Sequence, residues 1–428
     1  MISLIEHYQF QNISISEDVS DFLLDQEIGL YQKYFKNDGE NICYSISIRK
    51  DENELYNYDI ETSYFVGLDR IDSFTKLIYI EPKLNKNDTE IDILKMLFEA
   101  MSDPENFDHL QGLVDIDFSS KPILINQKKD LLTPFLVIQF LKILSNLVKK
   151  GIKKSYYKIS KNLKSRVKGR ILINTNITKN IVKNNNIDHH CEYQTFGADI
   201  PQNQFLKYVL KFLRRYLEKY PSEIKGSLKD LFNYINPVFE SVKDVSFKQF
   251  KIRETNPFYL EYNSLYDIGN QILKIQGFNL SKDSSTEQNV PPYWIDMSKL
   301  FELYVFKKLR EEFKGKNEVF YHRKFKGGKE TDIILKVPGY ECVIDCKYKP
   351  RYDSYAPSLQ DLRQLSGYCR LKSVYKILDK DIAYNIKGVI IYSSQYHSDL
   401  IKKDNLFLNP INEYIDFYKL PISLPIIP

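Results

Sequence analysis

Two apolar stretches joined by a Pro-Gly turn, within residues 330–349, constrain this chain more than any other feature. Ile333 and Leu335 alternate with other residues before Pro338-Gly339, and a second apolar stretch follows the turn. Alternation of this kind beside a Pro-Gly pair is typical of a β-hairpin. We therefore expect two neighbouring strands here, with side chains that can meet across them.

Three charged residues interrupt the apolar hairpin: Asp332, Asp345 and Lys347. Strand interiors disfavour Asp, and a carboxylate near a core carries a desolvation cost unless something compensates it. Asp345 and Lys347 are two residues apart and point to one face of their strand, where Asp332 can meet them. Oxygen ligands of this type hold Mg²⁺ or Mn²⁺, so the group predicts a divalent-cation site. A solvated salt bridge on an exposed hairpin is the alternative.

This combination suits metal-assisted hydrolysis of a phosphodiester. The ion stabilises the charge of an in-line displacement and makes a hydroxide-like nucleophile. Lys347 can orient or deprotonate the attacking water and stabilise the transition state. The spacing, with twelve residues between Asp332 and Asp345 and one more before Lys347, resembles the active site of the PD-(D/E)XK nuclease superfamily. Thr331 stands where the superfamily has Pro, but that Pro is not a ligand.

An amphipathic helix is predicted upstream, over residues 296–314, because Phe301, Val305 and Leu309 recur every four residues. Glu302 lies beside this apolar stripe and is expected to face inward. In many nucleases of the superfamily a Glu on the first core helix joins the metal site, so the resemblance makes Glu302 a third carboxylate ligand. A boundary position, with Glu302 paired to a Lys or Arg, is the alternative.

A second helix is predicted over residues 358–372, and a strand over residues 387–392 follows it. Gln364 and Tyr368 are four residues apart and are therefore neighbours on that helix. The pair resembles the Q-x-x-x-Y motif of RecB-like nucleases, in which the Gln contacts DNA or the metal-bound water. The order helix, three strands, helix, strand is also the core order of the superfamily. The resemblance implies an α/β PD-(D/E)XK domain, restriction-endonuclease-like, over residues 286–428.

The charge distribution marks a central region, which we predict to be helical and basic over residues 126–285. Residues 131–187 contain thirteen Lys or Arg and no Asp or Glu, whereas the whole chain carries a net charge of only +5. Such clustering is an electrostatic footprint for phosphates. The candidates for contact with DNA or a partner are Lys153, Lys154, Lys161, Lys164, Arg166, Lys168 and Arg170. A DNA track, a dock for an acidic or nucleotide-bearing protein, and a solvated helix face are the three interpretations.

The remaining part, residues 1–125, is predicted to be a β-rich N-terminal domain, which gives an α+β chain of three domains. Within it, residues 61–84 resemble the N-terminal region of McrC proteins, where a strand with a glycine precedes a strand ending in Pro-Lys, here Pro82-Lys83. The phrase D-M-S-K-L-F-E-L-Y-V at 296–305 is similar to the opening of the nuclease domain of the same family.

A basic motif adds to the resemblance, because Arg166, Gly169 and Arg170 match the R-x-x-G-R stretch of McrC proteins. On these motifs the chain is identified as a member of the McrC family. The resemblance implies the Mg²⁺-dependent DNA endonuclease subunit of a GTP-dependent restriction system for anti-phage defence. It also implies a partner, a McrB-like AAA+ GTPase hexamer that this subunit stimulates. The sequence has no G-x-x-x-x-G-K-[ST] motif, so it predicts no nucleotide bound through a P-loop.

Two rival functions use the same features. One is a RecB-like exonuclease of a repair complex, since such nucleases share Q-x-x-x-Y. The other is a non-catalytic adaptor of an AAA+ ring, in which the Asp and Lys pattern is vestigial.

Cysteine usage predicts a cytoplasmic protein, and the resemblance to McrC proteins implies that the cell is prokaryotic. The five cysteines, Cys43, Cys191, Cys342, Cys346 and Cys369, form no disulfide framework and imply a reducing compartment. The N-terminus lacks a basic stretch followed by an apolar one, and no apolar run reaches the roughly 20 residues of a membrane span. The sequence therefore predicts no membrane partner.

Overall fold

A computed structural model describes most of the chain. The described residues are 2–11, 30–37, 39–50, 56–71, 77–84, 90–101, 106–109, 112–117, 120–126, 132–218, 229, 231–245, 254–279, 287–313, 318–325, 330–394 and 401–426. They fall into two compact units, here called the first unit (Met1–Phe135 with Phe278–Pro428) and the second unit (Leu136–Gly277).

Strands and helices are numbered in chain order among the described residues. The strands are β1 (Ile2–Ile5), β2 (Gln9–Phe10), β3 (Leu30–Tyr34), β4 (Ile42–Lys50), β5 (Tyr56–Thr62), β6 (Phe65–Arg70), β7 (Leu77–Glu81), β8 (Val114–Ile116), β9 (Ile123–Asn126), β10 (Ser155–Lys164), β11 (Arg170–Ile171), β12 (Asp188–Gly197), β13 (Glu287–Val290), β14 (Tyr293–Asp296), β15 (Val319–Lys324), β16 (Glu330–Leu335), β17 (Cys342–Lys347), β18 (Lys387–Ser394) and β19 (Phe417–Ser423). The helices are α1 (Ile93–Ala100), α2 (Leu132–Lys150), α3 (Ile173–Lys179), α4 (Pro201–Leu217), α5 (Glu261–Asn279), α6 (Met297–Glu312), α7 (Leu359–Cys369) and α8 (Lys372–Leu378). The fold is α+β.

The first unit contains a five-stranded sheet with the order β1-β7-β6-β14-β8. β14, from late in the chain, pairs antiparallel with β6 on one side and with β8 on the other. Its residue Trp294 is buried and donates its indole N–H to Asp69 Oδ2 at 3.1 Å. Asp296, the last residue of β14, caps α6 by accepting the N–H of Lys299 at 3.0 Å. The strand therefore fixes the start of the helix that carries Glu302.

Two smaller sheets accompany this one. β2, β5, β4 and β3 form a four-stranded antiparallel sheet, and β9 pairs antiparallel with β13. Ile46 and Ile60 of the four-stranded sheet pack in one buried cluster with Ile78, Ile80 and Trp294 of the five-stranded sheet. The β-rich N-terminal part thus shares its core with a strand from the C-terminal part.

A second five-stranded sheet in the first unit has the order β15-β16-β17-β18-β19. Its first three strands are antiparallel to one another, and its last three are parallel. α6 contacts β15 and β17, and α7 contacts β17 and β18. Ile334, Val343, Leu365 and Ile390 pack together in the core between α7 and the sheet. The central strand of this sheet is β17, the strand of Asp345 and Lys347.

The second unit corrects the prediction of a helical basic region. α2 ends before Gly151, whose backbone is left-handed with φ of 100°, and left-handed glycine is a common helix terminator. The basic stretch that follows is β10, which pairs antiparallel with β12 over ten residues, and β11 lies on the other side of β12. Tyr156, Tyr157 and Ile159 favour an extended backbone, and charge alone does not distinguish a helix from a strand.

One helix passes the length and composition test for a membrane span. α2 has 19 residues and a mean hydropathy of 1.3 in its most apolar 18-residue window. Since 72% of that window is buried inside the protein, the helix has the burial of an ordinary core helix. Among the described residues it is the single candidate.

The division into domains at 1–125, 126–285 and 286–428 stays a prediction. The boundary between 285 and 286 lies outside the described residues.

Candidate active site

Asp332 and Asp345 lie on the adjacent strands β16 and β17. Ile333 is paired with Ile344 in the antiparallel register, so Asp332 and Asp345 lie opposite each other at the neighbouring position. Asp332 Oδ2 accepts the backbone N–H of Cys346 at 2.8 Å, which fixes its carboxylate against the neighbouring strand. Asp345 is fully buried.

Lys347 connects this pair to helix α7. Its Nζ lies 2.8 Å from Asp345 Oδ2 and donates to Asp345 Oδ1 at 3.0 Å. It also donates to Gln364 Oε1 at 3.1 Å, and Gln364 Nε2 donates to the hydroxyl of Tyr368 at 2.8 Å. The Gln and Tyr of the helical motif thus lie in one hydrogen-bonded chain with the Asp and Lys of the strand.

Glu302 approaches from α6. Its Oε2 accepts the hydroxyl of Tyr321 at 3.1 Å and lies 2.9 Å from His322 Nε2. One ligand atom from each of Glu302, His322 and Asp332 lies within 4.8 Å of the others. From the sequence, His322 on the strand before Asp332 could lie near the site, but a surface position was the preferred interpretation; the structure places it against Glu302.

Burial and mutual repulsion shape the titration of the two aspartates. Burial raises the pKa of Asp345 well above its ordinary value, and the charge of Asp332 adds to the effect while Lys347 opposes it. Burial and the charge of Glu302 raise the pKa of Asp332 in the same way. Burial alone would lower the pKa of Lys347. The negative charges of Asp345 and Asp332 outweigh that effect, so the pKa of Lys347 is raised. Lys347 is therefore held as a hydrogen-bond donor rather than a proton acceptor.

Asp361 supports the lysines from α7, and sequence reasoning missed it. Lys349 Nζ donates to both of its oxygens, at 2.8 and 3.0 Å, and the hydroxyl of Tyr352 donates to it as well. Its backbone N–H is capped by Ser358 Oγ at 3.3 Å, and the spacing of Ser358 and Asp361 at a helix start was the available signal. Asp361 Oδ1 lies 4.0 Å from Lys347 Nζ, so it adds negative charge behind the catalytic candidate.

Lys83, of the Pro-Lys pair after β7, lies beside the same strand end. Its Nζ donates to the backbone carbonyl oxygen of Tyr348 at 2.6 Å, one residue after Lys347. Its backbone N–H donates to the buried Glu6 at 3.0 Å. Burial lowers the pKa of Lys83 to about 8, with Glu6 opposing the effect. A buried ammonium on a main-chain carbonyl fixes the backbone at the end of β17.

The donor set fits a divalent cation. Glu302, His322 and Asp332 converge on one point, and Asp345 lies on the strand next to Asp332. Burial raises the pKa of Asp332 and of Asp345, and the charge of a neighbouring carboxylate adds to the effect for each of them. Asp345 Oδ2 is buried and accepts no hydrogen bond from the part of the chain that the structure describes, although Lys347 Nζ is nearby. A cation at this place would compensate both the charge and the unpaired oxygen.

The predicted cations of the second unit lie on and after β10. Lys154, Lys161, Lys164, Arg166, Lys168 and Arg170 are exposed. Lys153 differs, because its Nζ forms a 2.5 Å ion pair with the buried Glu254. Gly169, in the R-x-x-G-R motif, has φ of 69°, and a Cβ there would lie 2.4 Å from the carbonyl oxygen of Glu192. The motif therefore needs glycine for a close turn onto β12.

Comparison with known proteins gives the family. The model of the family described as McrBC 5-methylcytosine restriction system component matches residues 60–378, well over half of the 428 residues. The chain belongs to this family. No curated protein matches it.

Two solved structures are similar to the chain at low identity. One is a refined half-complex from a tetradecameric assembly of Thermococcus gammatolerans McrB AAA+ hexamers with bound McrC, at 16% identity and a TM-score of 0.40, covering 99% of this chain and 94% of that chain. The other is a cryo-EM structure of the Thermococcus gammatolerans McrBC complex, at 17% identity and a TM-score of 0.29, covering 76% of this chain and 89% of that chain. Similarity at this level adds nothing to the family assignment.

Proposed function

We propose that this McrBC-family chain is the Mg²⁺-dependent DNA endonuclease subunit of its restriction system, with a PD-(D/E)XK fold in its C-terminal part. The observation that carries the proposal is the group of half-buried Asp332, buried Asp345 and half-buried Lys347 on adjacent strands, with Glu302 and Gln364 beside it. The order α6, β15 to β17, α7 and β18 supports the fold assignment, since it is the core order of that superfamily.

The residues divide the chemistry among themselves. Asp332, Asp345 and Glu302 would hold the cation, which supplies charge stabilisation for an in-line attack on the phosphodiester. Lys347 is fixed by Asp345 and Gln364, and its ammonium donates to the attacking water or to a phosphate oxygen. Gln364 and Tyr368 of α7 offer further hydrogen-bond donors for the DNA or for a water molecule.

Cleavage of a closed circle is the test of this function. The chain is incubated with supercoiled plasmid, methylated at cytosine or unmethylated, together with Mg²⁺, GTP and a McrB-type AAA+ GTPase from the same organism. We expect nicked and linear products that require Mg²⁺. Degradation of linear DNA alone, with closed circles left intact, would identify the RecB-like exonuclease. A partner GTPase stimulated without any Mg²⁺-dependent nicking would identify the adaptor.

The second unit is proposed to dock on the AAA+ GTPase. The basic sheet surface, as we call it, consists of the exposed cations of β10 and the turn to β11: Lys154, Lys158, Lys161, Lys164, Arg166, Lys168 and Arg170. Large apolar side chains are also exposed on the same unit, each by more than half: Tyr156, Val167, Ile173, Val182, Ile187 and Phe196. Contiguous exposed apolar side chains mark protein interfaces, and the rings of Tyr156 and Phe196 are in contact with centroids 5.3 Å apart. Nucleic-acid interfaces are more polar. The mixture therefore favours an acidic protein surface over a DNA track.

Removing exposed apolar side chains from the second unit is expected to weaken binding to the partner and to leave binding to DNA unchanged. The change is Ile173→Ser with Val182→Ser, side chains 69% and 71% exposed. Two truncations that together cost about 1.4 kcal/mol of binding free energy weaken an interface about tenfold, so stimulation of the GTPase at limiting protein should fall by roughly that factor. Binding to DNA, measured over a series of salt concentrations, should stay unchanged.

The control for that variant is Leu408→Ser with Ile415→Ser, which removes exposed apolar side chains from the first unit. We expect normal GTPase stimulation from it. The opposite result assigns the surface to DNA: the apolar variant stimulates normally, while Lys161→Ala with Lys164→Ala flattens the salt dependence of DNA binding.

A further inference from the structure

We propose that His322 is a metal ligand, and that with Glu302 and Asp332 it forms a second cation position that takes a first-row transition ion such as Mn²⁺ ahead of Mg²⁺. This inference deepens the proposed function, because it rests on a divalent-cation site beside Asp332. It adds a nitrogen ligand to a site that was otherwise composed of carboxylates.

The distances bring the three groups to one point. His322 Nε2 lies 2.9 Å from Glu302 Oε2, and the ligand atoms of Glu302, His322 and Asp332 are all within 4.8 Å of one another. All three side chains are half-buried, so a cation can reach them and is partly shielded from solvent once there. Asp345 is not a member of this group, and its carboxylate is held by Lys347, whose Nζ donates to Asp345 Oδ1 at 3.0 Å.

The backbone of β15 is bent to deliver the imidazole. Neighbouring residues on a regular strand point to opposite faces. His322 instead has φ of 43°, in the left-handed region, and its ring stacks on that of Tyr321 with centroids 4.2 Å apart. Both side chains thereby reach the same oxygen of Glu302, the hydroxyl of Tyr321 at 3.1 Å and the imidazole of His322 at 2.9 Å.

A carboxylate faces the other ring nitrogen. Glu330 Oε1 lies 2.9 Å from His322 Nδ1, an ion-pair distance without the geometry of a hydrogen bond. A carboxylate behind a histidine is the arrangement that orients imidazole ligands in metal sites and leaves the far nitrogen for the ion. Carboxylate and water oxygens suit both Mg²⁺ and Mn²⁺, whereas imidazole nitrogen favours first-row transition ions. Of the two ions, Mn²⁺ is therefore the one that more readily accepts a ligand set with an imidazole. The position at Asp332 and Asp345 and the position at His322 therefore differ in the ion that they prefer.

The test compares His322→Asn with wild type in the full chain, because Asn tolerates a left-handed backbone and is too short to replace the imidazole. Calorimetric titration with Mn²⁺ is expected to show two ions bound to wild type, one of them at least about tenfold weaker in the variant. Pulsed EPR of bound Mn²⁺ should show imidazole nitrogen coupling in wild type and none in the variant. The affinity for Mg²⁺ should change less than threefold.

His7→Asn is the matched control, since His7 is also left-handed, with φ of 53°, and stacks on Tyr64 outside this group. It should keep the nitrogen coupling. If Mn²⁺ binds and DNA is cut but the coupling is absent from wild type, His322 is no ligand and the proposed function still stands. If the coupling is present but no DNA is cut, the metal position stands and the nuclease proposal falls. If neither ion binds, both are overturned.

Discussion

Asp345→Asn is expected to reduce Mg²⁺-dependent plasmid cleavage by on the order of 10²–10³-fold or more, the cost of removing one charged group from a preorganised site. Asp345 is fully buried, and its carboxylate both faces Lys347 and keeps one oxygen without a hydrogen bond among the described residues. The amide keeps the shape of the side chain but cannot hold a cation as a carboxylate does. Gel assays of nicked and linear plasmid over time measure the loss.

Asp379→Asn makes the same chemical change at an exposed residue, paired with Lys336, and should cut DNA at the wild-type rate. Asn also tolerates the left-handed backbone of that position, where φ is 54°. An Asp345→Asn protein that nicks plasmid as fast as wild type would remove Asp345 from the site and sink the nuclease assignment.

Asp345→Asn should also be more stable than wild type at pH 8 in the absence of divalent ions. Burial and Asp332 raise the pKa of Asp345 to about 7, so the folded protein binds more protons than the unfolded chain between about pH 4 and about pH 7. The contribution of the Asp345 carboxyl group to the free energy of unfolding therefore falls as the pH rises through that window. Asn does not ionise, so the variant does not lose this contribution. Lys347 keeps Gln364 as an acceptor after the change.

Thermal unfolding at pH 5 and pH 8 measures this effect. The difference between variant and wild type should be larger at pH 8, and Mg²⁺ should raise the midpoint of wild type more than that of the variant. A variant that is less stable than wild type at pH 8 would show that the ion pair with Lys347 outweighs the repulsion with Asp332.

Gly67→Ala is expected to destabilise the first unit by about 3 kcal/mol, the upper end of the cost of overpacking a core. A Cβ at Gly67 would lie 2.1 Å from the carbonyl oxygen of Tyr293 and 2.8 Å from Cε3 of Trp294. The near atom is backbone of the paired strand β14, which cannot swing aside as a flexible side chain would. Thermal or denaturant unfolding of the purified chain measures the change.

Gly367→Ala is the control, because it adds the same methyl group where no atom lies within 4 Å. Gly367 is inside α7, so the change should stabilise the protein by about 0.5–1 kcal/mol through helix propensity. Equal unfolding midpoints for Gly67→Ala and wild type would contradict the tight pairing of β6 with β14.

The sequence predicted local elements better than long-range placement. The hairpin of β16 and β17 and the helices α6 and α7 follow from apolar residues that recur every two or about every four positions. Such a period is visible within the segment itself and needs no knowledge of the rest of the chain. β10 was mistaken for helix because its signal was charge, which has no period. The contact of His322 with Glu302 depends on a left-handed backbone at a residue other than glycine, and no residue pattern predicts that conformation.

The placement of β14 could not be predicted for a different reason. Its partner strands lie more than 150 residues away in sequence, and the bond from Trp294 to Asp69 spans 225 residues. The local sequence Y-W-I-D gives no indication of whether it forms an interior strand of a sheet or the end of a linker. The metal and the roles of Asp332, Asp345, Lys347, Glu302 and Gln364 stay predictions, which the variants above test.

The inserted strand has a consequence for a protein that is cut by a protease. Leu136–Gly277 interrupts the first unit, whose two segments are held together by β14 between β6 and β8 and by the pairing of β9 with β13. A single cleavage within the interrupting segment leaves those ladders intact. The two fragments should therefore elute as one species from a sizing column and separate only when denatured.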